Sequence, residues 1–345
     1  MRACAFAIPG DHRQKTGGFI YQRRLLEELQ ASGRAVTHVS LPAEGAAGEQ
    51  SAALRAEVAR VLEALPEDQP LILDGLVFAA MKTEGLARLR CPVVAMLHHP
   101  MGMEQGLAPA LSRHLLAQEI ANIRRARAVV VTSPHTKRTY TELGADPGKI
   151  TVALPGYDGP RDLPRIEAGP RILSVGLLAR RKGHDVLIRA LDRVSDLDWD
   201  AQIVGKSFDP AVEAELRALI AETGLAGRIA LAGELSDQAL AQAYREARVF
   251  ALATRYEGYG MALAEALCHG LPIVTCASGA VPDTVGEGAL LAPPDDPEAF
   301  AAHLRHLLSD DSARESLARK AWAEGRELPR WSETAAIMGD VLDRL

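Results

Sequence analysis

Glu257 and Glu265 stand eight residues apart in the run Arg255-Tyr256-Glu257-Gly258-Tyr259-Gly260-Met261-Ala262-Leu263-Ala264-Glu265, directly after the apolar stretch 247–254. Gly258 and Gly260 allow a sharp turn and a close backbone approach to a ligand, and the unpaired first amides of a following helix favour a phosphate. With a helix starting near Tyr259, Glu265 lies about two turns in, so roughly 10 Å separates the two carboxylates, the order of length of a sugar diphosphate. Two acids at this spacing are, in isolation, an ordinary solvated turn. Their union with a glycine turn and a helix start in one element points instead to a ligand site.

The elements around this motif must position it. The strand 2–8 runs into a polar loop with Lys15-Thr16-Gly17-Gly18, and residues 19–33 have helical spacing with a glycine stop. Further strands are expected at 35–40, 71–73, 93–97, 128–132 and 150–154, alternating with helices such as 51–65 and 108–125. The pattern restarts at 171–175 and continues through helices 185–194, 211–222, 237–246 and 259–269 and strands 200–204, 229–232, 248–252 and 273–276. Strands alternating with helices imply parallel sheets, so the chain reads as α/β with two doubly wound domains. The Pro- and Gly-rich stretch 155–170 reads as a hinge, with the second domain beginning near residue 166. At Glu327-Leu328-Pro329-Arg330-Trp331 one helix breaks before another, 332–345. Trp331 is expected to anchor that crossing, and residues 329–345 to pack back on the first domain.

At 345 residues the chain fits two domains, and 48% apolar with 24% charged residues is normal for a globular protein. No apolar run reaches the length of a membrane span, and the first ten residues lack the features of a signal peptide, so a cytoplasmic location is expected. Cys4, Cys91, Cys268 and Cys276 have no CxxC spacing and are expected to be reduced and buried. The net charge of −6 divides unevenly, +3 over residues 1–165 and −9 over 166–345. Arginine-rich patches such as Arg124-Arg125-Ala126-Arg127 suit either an anionic partner or, more simply, a solvated helix face. No G-x-G-x-x-G joins the first strand and helix, which disfavours a nicotinamide enzyme. Asp196-Leu197-Asp198 lies between a helix and a strand, away from the glycine turns, so no metal is expected.

Five segments in order resemble the retaining family 4 glycosyltransferases of GT-B architecture. They are Thr16-Gly17-Gly18; Leu97-His98-His99-Pro100; Leu154-Pro155-Gly156-Tyr157-Asp158; Leu173-Ser174-Val175-Gly176 with Arg180-Arg181-Lys182-Gly183-His184-Asp185; and the E-x7-E of Glu257 and Glu265. The resemblance implies two Rossmann-like domains facing across a cleft, residues 1–165 on the acceptor side and 166–328 on the nucleotide-sugar side. It implies a hexosyl transfer from a nucleotide-diphosphate sugar to a small-molecule, saccharide or lipid-linked acceptor, with neither a cofactor nor a nucleic-acid partner. Retention by front-face attack is also implied, the donor phosphate accepting the acceptor's proton. One departure is Leu177, where many relatives carry arginine; Arg180 or Arg181 supplies the guanidinium, and Arg181 is the preferred choice.

Within that resemblance the catalytic candidates are Glu257, Lys182, Arg181 and His98. Lys182 and the arginine stabilise the charge growing on a leaving diphosphate. Glu257 takes the hydroxyls of the transferred sugar, in preference to acting as a nucleophile. His98, first after its strand at the ligand-binding edge, donates to sugar or phosphate, while His99 packs or caps. The donor is held by Gly17, Gly18, Gly176, Arg180, Gly258, Tyr259, Gly260, Met261 and Ala262, and by Glu265 at the ribose diol. Two alternatives stay open, a nucleotide-sugar epimerase of the same fold and a non-catalytic nucleotide-sugar-binding relative. Residues 108–127 mix leucines with Arg113, Arg124, Arg125 and Arg127, which suits core packing or a peripheral contact with the inner face of a membrane.

Overall fold

The computed structural model describes residues 1–42, 52–104, 106–159 and 169–345. The expected helix start at Ser51, most of the hinge and the domain boundary placed near residue 166 lie outside the described residues. The chain divides into two compact units, Met1–Gly156 with Pro329–Leu345, and Tyr157–Leu328.

The first unit opens with β1 (Cys4–Pro9), α1 (Gly17–Ala31), β2 (Val36–Leu41), α2 (Ala52–Glu63) and β3 (Leu71–Asp74). Two short helices follow, α3 (Gly75–Ala80) and α4 (Thr83–Leu86), then β4 (Val93–Leu97), α5 (Pro109–Arg125), β5 (Ala128–Val131), α6 (Pro134–Glu142) and β6 (Ile150–Val152). The six strands form one parallel sheet in the order β2-β1-β3-β4-β5-β6. Every residue of β1, β3 and β4 is buried, as expected of strands covered by helices on both faces, whose sequences are continuous apolar runs and not alternations. On α5, Ile120 and Ile123 are buried in this core, whereas Leu111 is exposed.

The second unit contains β7 (Arg171–Val175), α7 (His184–Asp192), β8 (Asp200–Val204), α8 (Pro210–Glu222), β9 (Ile229–Gly233), α9 (Asp237–Glu246) and β10 (Val249–Leu252). It continues with α10 (Met261–Cys268), β11 (Ile273–Cys276), α11 (Val281–Val285), β12 (Ala289–Ala292), α12 (Pro297–Ser309) and α13 (Asp311–Glu327). Its parallel sheet has the order β12-β11-β10-β7-β8-β9. The order reverses between β7 and β10, and ligands of open α/β sheets bind where the connections diverge beyond such a pair.

Two helix starts differ by two residues from the sequence reading. Helix α1 begins at Gly17, so Gly17 and Gly18 form its first turn instead of a loop; the Ile20 amide already donates to the Thr16 carbonyl at 2.9 Å. Helix α10 begins at Met261 and not Tyr259. Gly260 has φ of 100°, outside helical space, and Thr284 Oγ1 donates to the Tyr259 carbonyl at 2.6 Å. The four cysteines are free and buried. Among the described residues no helix is long and apolar enough to cross a membrane.

The last helix, α14 (Trp331–Asp343), packs against α1 in the first unit. Trp331 is 4% exposed, with its ring edge-on to Tyr21 at 5.4 Å between centroids. At about 25 cal/mol per Å², burial of a side chain this large contributes several kcal/mol. The buried Arg34 guanidinium donates to both carboxylate oxygens of Asp343, each at 2.9 Å, and to the Gly339 carbonyl at 3.2 Å. Thr334 Oγ1 donates to the Leu154 carbonyl at 2.7 Å, joining the helix to the chain just before Gly156. The backbone of Trp331 comes so close to Gly156 that a Cβ there would lie 2.2 Å from the Trp331 nitrogen. Gly156→Ala is therefore expected to destabilise the protein by about 2 kcal/mol or more, by forcing α14 away from its seat. A thermal unfolding midpoint within a degree of the parent would refute this.

Candidate functional site

Because β7 and β10 are parallel neighbours, the chain leaves both at the same sheet edge, and the two connections run side by side. After β7 it passes Gly176 and makes a single tight turn at Arg180–Lys182 before α7. After β10 it passes Thr254 and reaches Glu257. The two connections meet at the carboxylate of Glu257, whose side chain is 7% exposed. Lys182 Nζ donates to its Oε1 at 2.7 Å, Thr254 Oγ1 donates to the same oxygen at 2.9 Å, and Arg181 Nη1 lies 3.4 Å from Oε2. Arg181 Nη1 also donates to the Tyr256 carbonyl at 2.7 Å. Burial alone would raise the Glu257 carboxyl, but the charges of Lys182 and Arg181 together with the hydrogen bonds from Lys182 and Thr254 outweigh it and hold the group below its ordinary value. The result is an ionised carboxylate with two cations fixed beside it.

Three glycines shape this part of the site. Gly183 has φ of 63° and sits so near the Ala253 carbonyl that a Cβ would come within 1.8 Å of the oxygen. Only glycine closes the cationic turn onto β10. Gly260 turns the chain into α10 in a left-handed conformation, which leaves the Met261 and Ala262 amides at the helix N-terminus without intrahelical acceptors. Gly176 contributes space: a Cβ there would press on the Lys182 stem at 3.2 Å.

Glu265, in the second turn of α10, has a different environment. Tyr244 Oη, from α9, donates to its Oε2 at 2.9 Å. Burial pushes the carboxyl up to about 7; the tyrosine bond opposes that rise, and Asp237 adds to it. Of the remaining residues of this motif, Tyr259 is buried, 6% exposed, and its carbonyl is taken by Thr284.

In the first unit, the His98 ring abuts Gly18: a Cβ on that glycine would lie 3.4 Å from both Cδ2 and Nε2. The ring is also edge-on to Tyr21, with 5.4 Å between centroids. Burial, with a smaller contribution from His99, pushes His98 down to about 4, so the imidazole is neutral near pH 7. Its Nε2 is buried without a hydrogen-bond partner among the described residues. His99 Nε2 lies 2.6 Å from Glu104 Oε1.

Gly176, Arg181, Lys182 and Glu257 are thus brought into contact in one unit, and Gly18 and His98 in the other. Arg180 is not part of either group; it points outward and donates to the exposed Glu215 at 2.6 Å. Asp196 is taken up by Arg305 at 2.6 Å. Among the described residues no three His, Cys, Asp or Glu side chains are grouped to hold a metal. Sequence reasoning passed over Thr254 and Tyr244. Thr254 carried a signal, as the polar residue that ends the apolar run before Glu257; Tyr244 carried none, since only the packing of α9 on α10 gives it a carboxylate partner.

The chain matches two family models that meet at residue 160: "Glycosyltransferase Family 4" over residues 16–159 and "Glycosyl transferases group 1" over residues 160–323. It is 32% identical over 217 residues to a D-inositol 3-phosphate glycosyltransferase of Xylanimonas cellulosilytica, a match covering 57% of this chain and 52% of that protein. It is 26% identical over 242 residues to a mannosylfructose-phosphate synthase of Agrobacterium fabrum, covering 64% and 53%. The chain therefore spans about half the length of these curated relatives. Among solved structures, a sucrose-phosphate synthase of Thermosynechococcus elongatus superposes with a TM-score of 0.81 at 22% identity, covering 100% of this chain and 99% of that one. The Anabaena protein HepE in complex with UDP and glucose gives 0.76 at 18%, covering 100% of both. At these identities the likeness establishes the shared fold.

The environment of Glu265 generates a direct test. Its carboxyl should titrate near pH 7, more than two units above an ordinary glutamate. Tyr244→Phe should move it higher still, because the lost hydrogen bond favours the charged form. Carboxyl-carbon NMR of glutamate-labelled protein measures both, and a Glu265 resonance titrating below pH 5 would contradict the assignment.

Proposed function

Starting from a chain that belongs to the family 4 glycosyltransferases, of GT-B fold, over residues 16–323, we propose that it transfers a hexosyl group from a nucleotide-diphosphate sugar to a saccharide or small-molecule acceptor, retaining the anomeric configuration and requiring no metal. The observation that carries this reading is the fixed pair of cations, Lys182 and Arg181, packed on Glu257 beside a helix N-terminus. As the bond between the sugar's anomeric carbon and the diphosphate breaks, the departing oxygen gains negative charge. Positioned cations and backbone amides stabilise that charge without a proton transfer. In the front-face course, the acceptor hydroxyl attacks from the side the diphosphate leaves, its proton passes to a departing phosphate oxygen, and no protein base takes part.

Residues 166–328 are read as the donor side and residues 1–165 with 329–345 as the acceptor side. Glu257 keeps Lys182 and Arg181 aimed and offers its remaining lone pairs to the sugar hydroxyls. Glu265 accepts from the ribose diol. The neutral His98, its Nε2 without a partner among the described residues, takes a hydroxyl of the sugar or a phosphate oxygen, and Gly17, Gly18, Gly258 and Tyr259 offer backbone. Ile120 and Ile123 of α5 are committed to the core while Leu111 is exposed, and the acceptor is read as soluble in preference to lipid-linked.

Two sets of measurements test this. Lys182→Ala and Arg181→Ala should each lower kcat by about 10²-fold, while Arg180→Ala, which loses an exposed ion pair, should stay within a few-fold of the parent. A larger loss at Arg180 than at Arg181 would reverse the assignment of the guanidinium. In the second set, activity should persist in EDTA, and the product of an α-linked donor should show an α-anomeric proton by NMR. Abolition by EDTA or an inverted product would sink the mechanism.

A further inference from the structure

Arg255 lies one residue before the Tyr256-Glu257 segment, and its side chain is 18% exposed. The guanidinium reaches three separate parts of the second unit. Nη1 and Nη2 donate to Oδ1 and Oδ2 of Asp185, each at 2.9 Å, in the two-pronged arrangement that suits a planar fork. Nε donates to Asp295 Oδ1 at 2.7 Å, and Nη1 also donates to the Arg180 carbonyl. The Arg255 backbone amide donates to the Arg181 carbonyl at 2.8 Å. Both carbonyls belong to the cationic turn, and Asp185 is in the first turn of the helix that follows it. Asp295 is the one non-glycine residue among the described residues with a positive φ, 59°. A backbone held in that disfavoured region needs a compensating contact, and its pair with Arg255 provides one.

We infer that Arg255 is the positioning residue of the cationic turn: by holding the Arg180 and Arg181 carbonyls and Asp185, it sets where Arg181 and Lys182 point. The two carbonyls it engages flank the Arg181 side chain, so the peptide planes on that side of the turn cannot rotate without breaking a bond to Arg255. Arginine is required here because its fork supplies directional donors to several acceptors at once, whereas the ammonium of lysine is a point charge on a flexible stem. Arg255 itself faces carboxylates and carbonyls, and it leaves Arg181 and Lys182 to meet the ligand. The inference rests on the diphosphate reading for its consequence but not for its structural content.

Hydrogen–deuterium exchange of the free protein tests the structural content. Arg255→Lys should speed exchange at the Lys182 and Gly183 amides, which donate to the Ala179 and Arg180 carbonyls, by about tenfold while leaving β7 and β10 unchanged. Asp185→Asn should do the same if the lysine variant fails to fold, and Asp295→Asn should have a smaller effect, because it weakens a single bond. Binding of UDP and GDP, with UMP and GMP as controls, tests the consequence: both variants of the bidentate pair should bind the diphosphates about tenfold more weakly, with monophosphate affinity unchanged. Unaltered exchange in the turn overturns the inference. So does an equal loss for mono- and diphosphates, or a loosened turn with unchanged diphosphate binding. Failure of the parent protein to bind either diphosphate would count against the donor reading, and the exchange experiment would still decide the role of Arg255.

Discussion

The second unit is organised around one electrostatic requirement, the neutralisation of the buried Glu257 carboxylate. A carboxylate on a side chain this buried is strongly unfavourable unless it is paired and hydrogen-bonded. Lys182, Arg181 and Thr254 meet that requirement, and in turn two adjacent cations that would repel one another gain a shared counter-charge. Removing a single member of such a buried group commonly costs about 3–5 kcal/mol. The pairing is possible because β7 and β10 adjoin at the reversal in strand order, so residues 75 apart in sequence are neighbours at one sheet edge. Gly183 has no side chain for the same reason: the turn must touch the Ala253 carbonyl before Lys182 can reach Glu257.

The two carboxylates of the E-x7-E run are pushed in opposite directions by their surroundings. Glu257 is held charged by cations, while Glu265 has a tyrosine hydroxyl and is raised to about 7. A group held in its charged form is suited to orienting Lys182 and Arg181. One poised near neutrality costs less to bury and still accepts hydrogen bonds from hydroxyls above its midpoint. Identical side chains eight residues apart are thus fitted to different tasks by partners that come from other helices and strands.

The first unit solves a different problem. Its ligand-facing candidates, His98 and Gly18, are neutral, and their geometry depends on close packing at the N-terminal end of α1. That end is braced by Tyr21, whose hydroxyl donates to the Ala153 carbonyl at 2.9 Å and whose ring meets both His98 and Trp331. The final helix is therefore part of the support of the site candidates in this unit. Burial of Trp331, the Arg34 to Asp343 pair and the tight seat on Gly156 act together at separate points along α14.

Much was legible in the amino-acid sequence. The alternation of apolar runs and amphipathic stretches, the break at Pro329 and the glycine turns are local signals, because period, helix propensity and backbone freedom act over a few residues. The motif around Glu257 and Glu265 was visible for the same reason. The helix starts at Gly17 and Met261 each differ by two residues from the sequence reading: α1 tolerates two glycines in its first turn, and Gly260, with φ of 100°, together with Thr284 holding the Tyr259 carbonyl, delays α10. Only the tertiary structure determined that Arg181 turns toward Glu257 while Arg180 turns toward Glu215, that Tyr244 faces Glu265, and that Arg255 ties three segments together. A sequence sets which charges and donors exist, but strand order and packing choose their partners, because electrostatic and hydrogen-bond energies fall off over a few ångströms in space and take no account of distance along the chain.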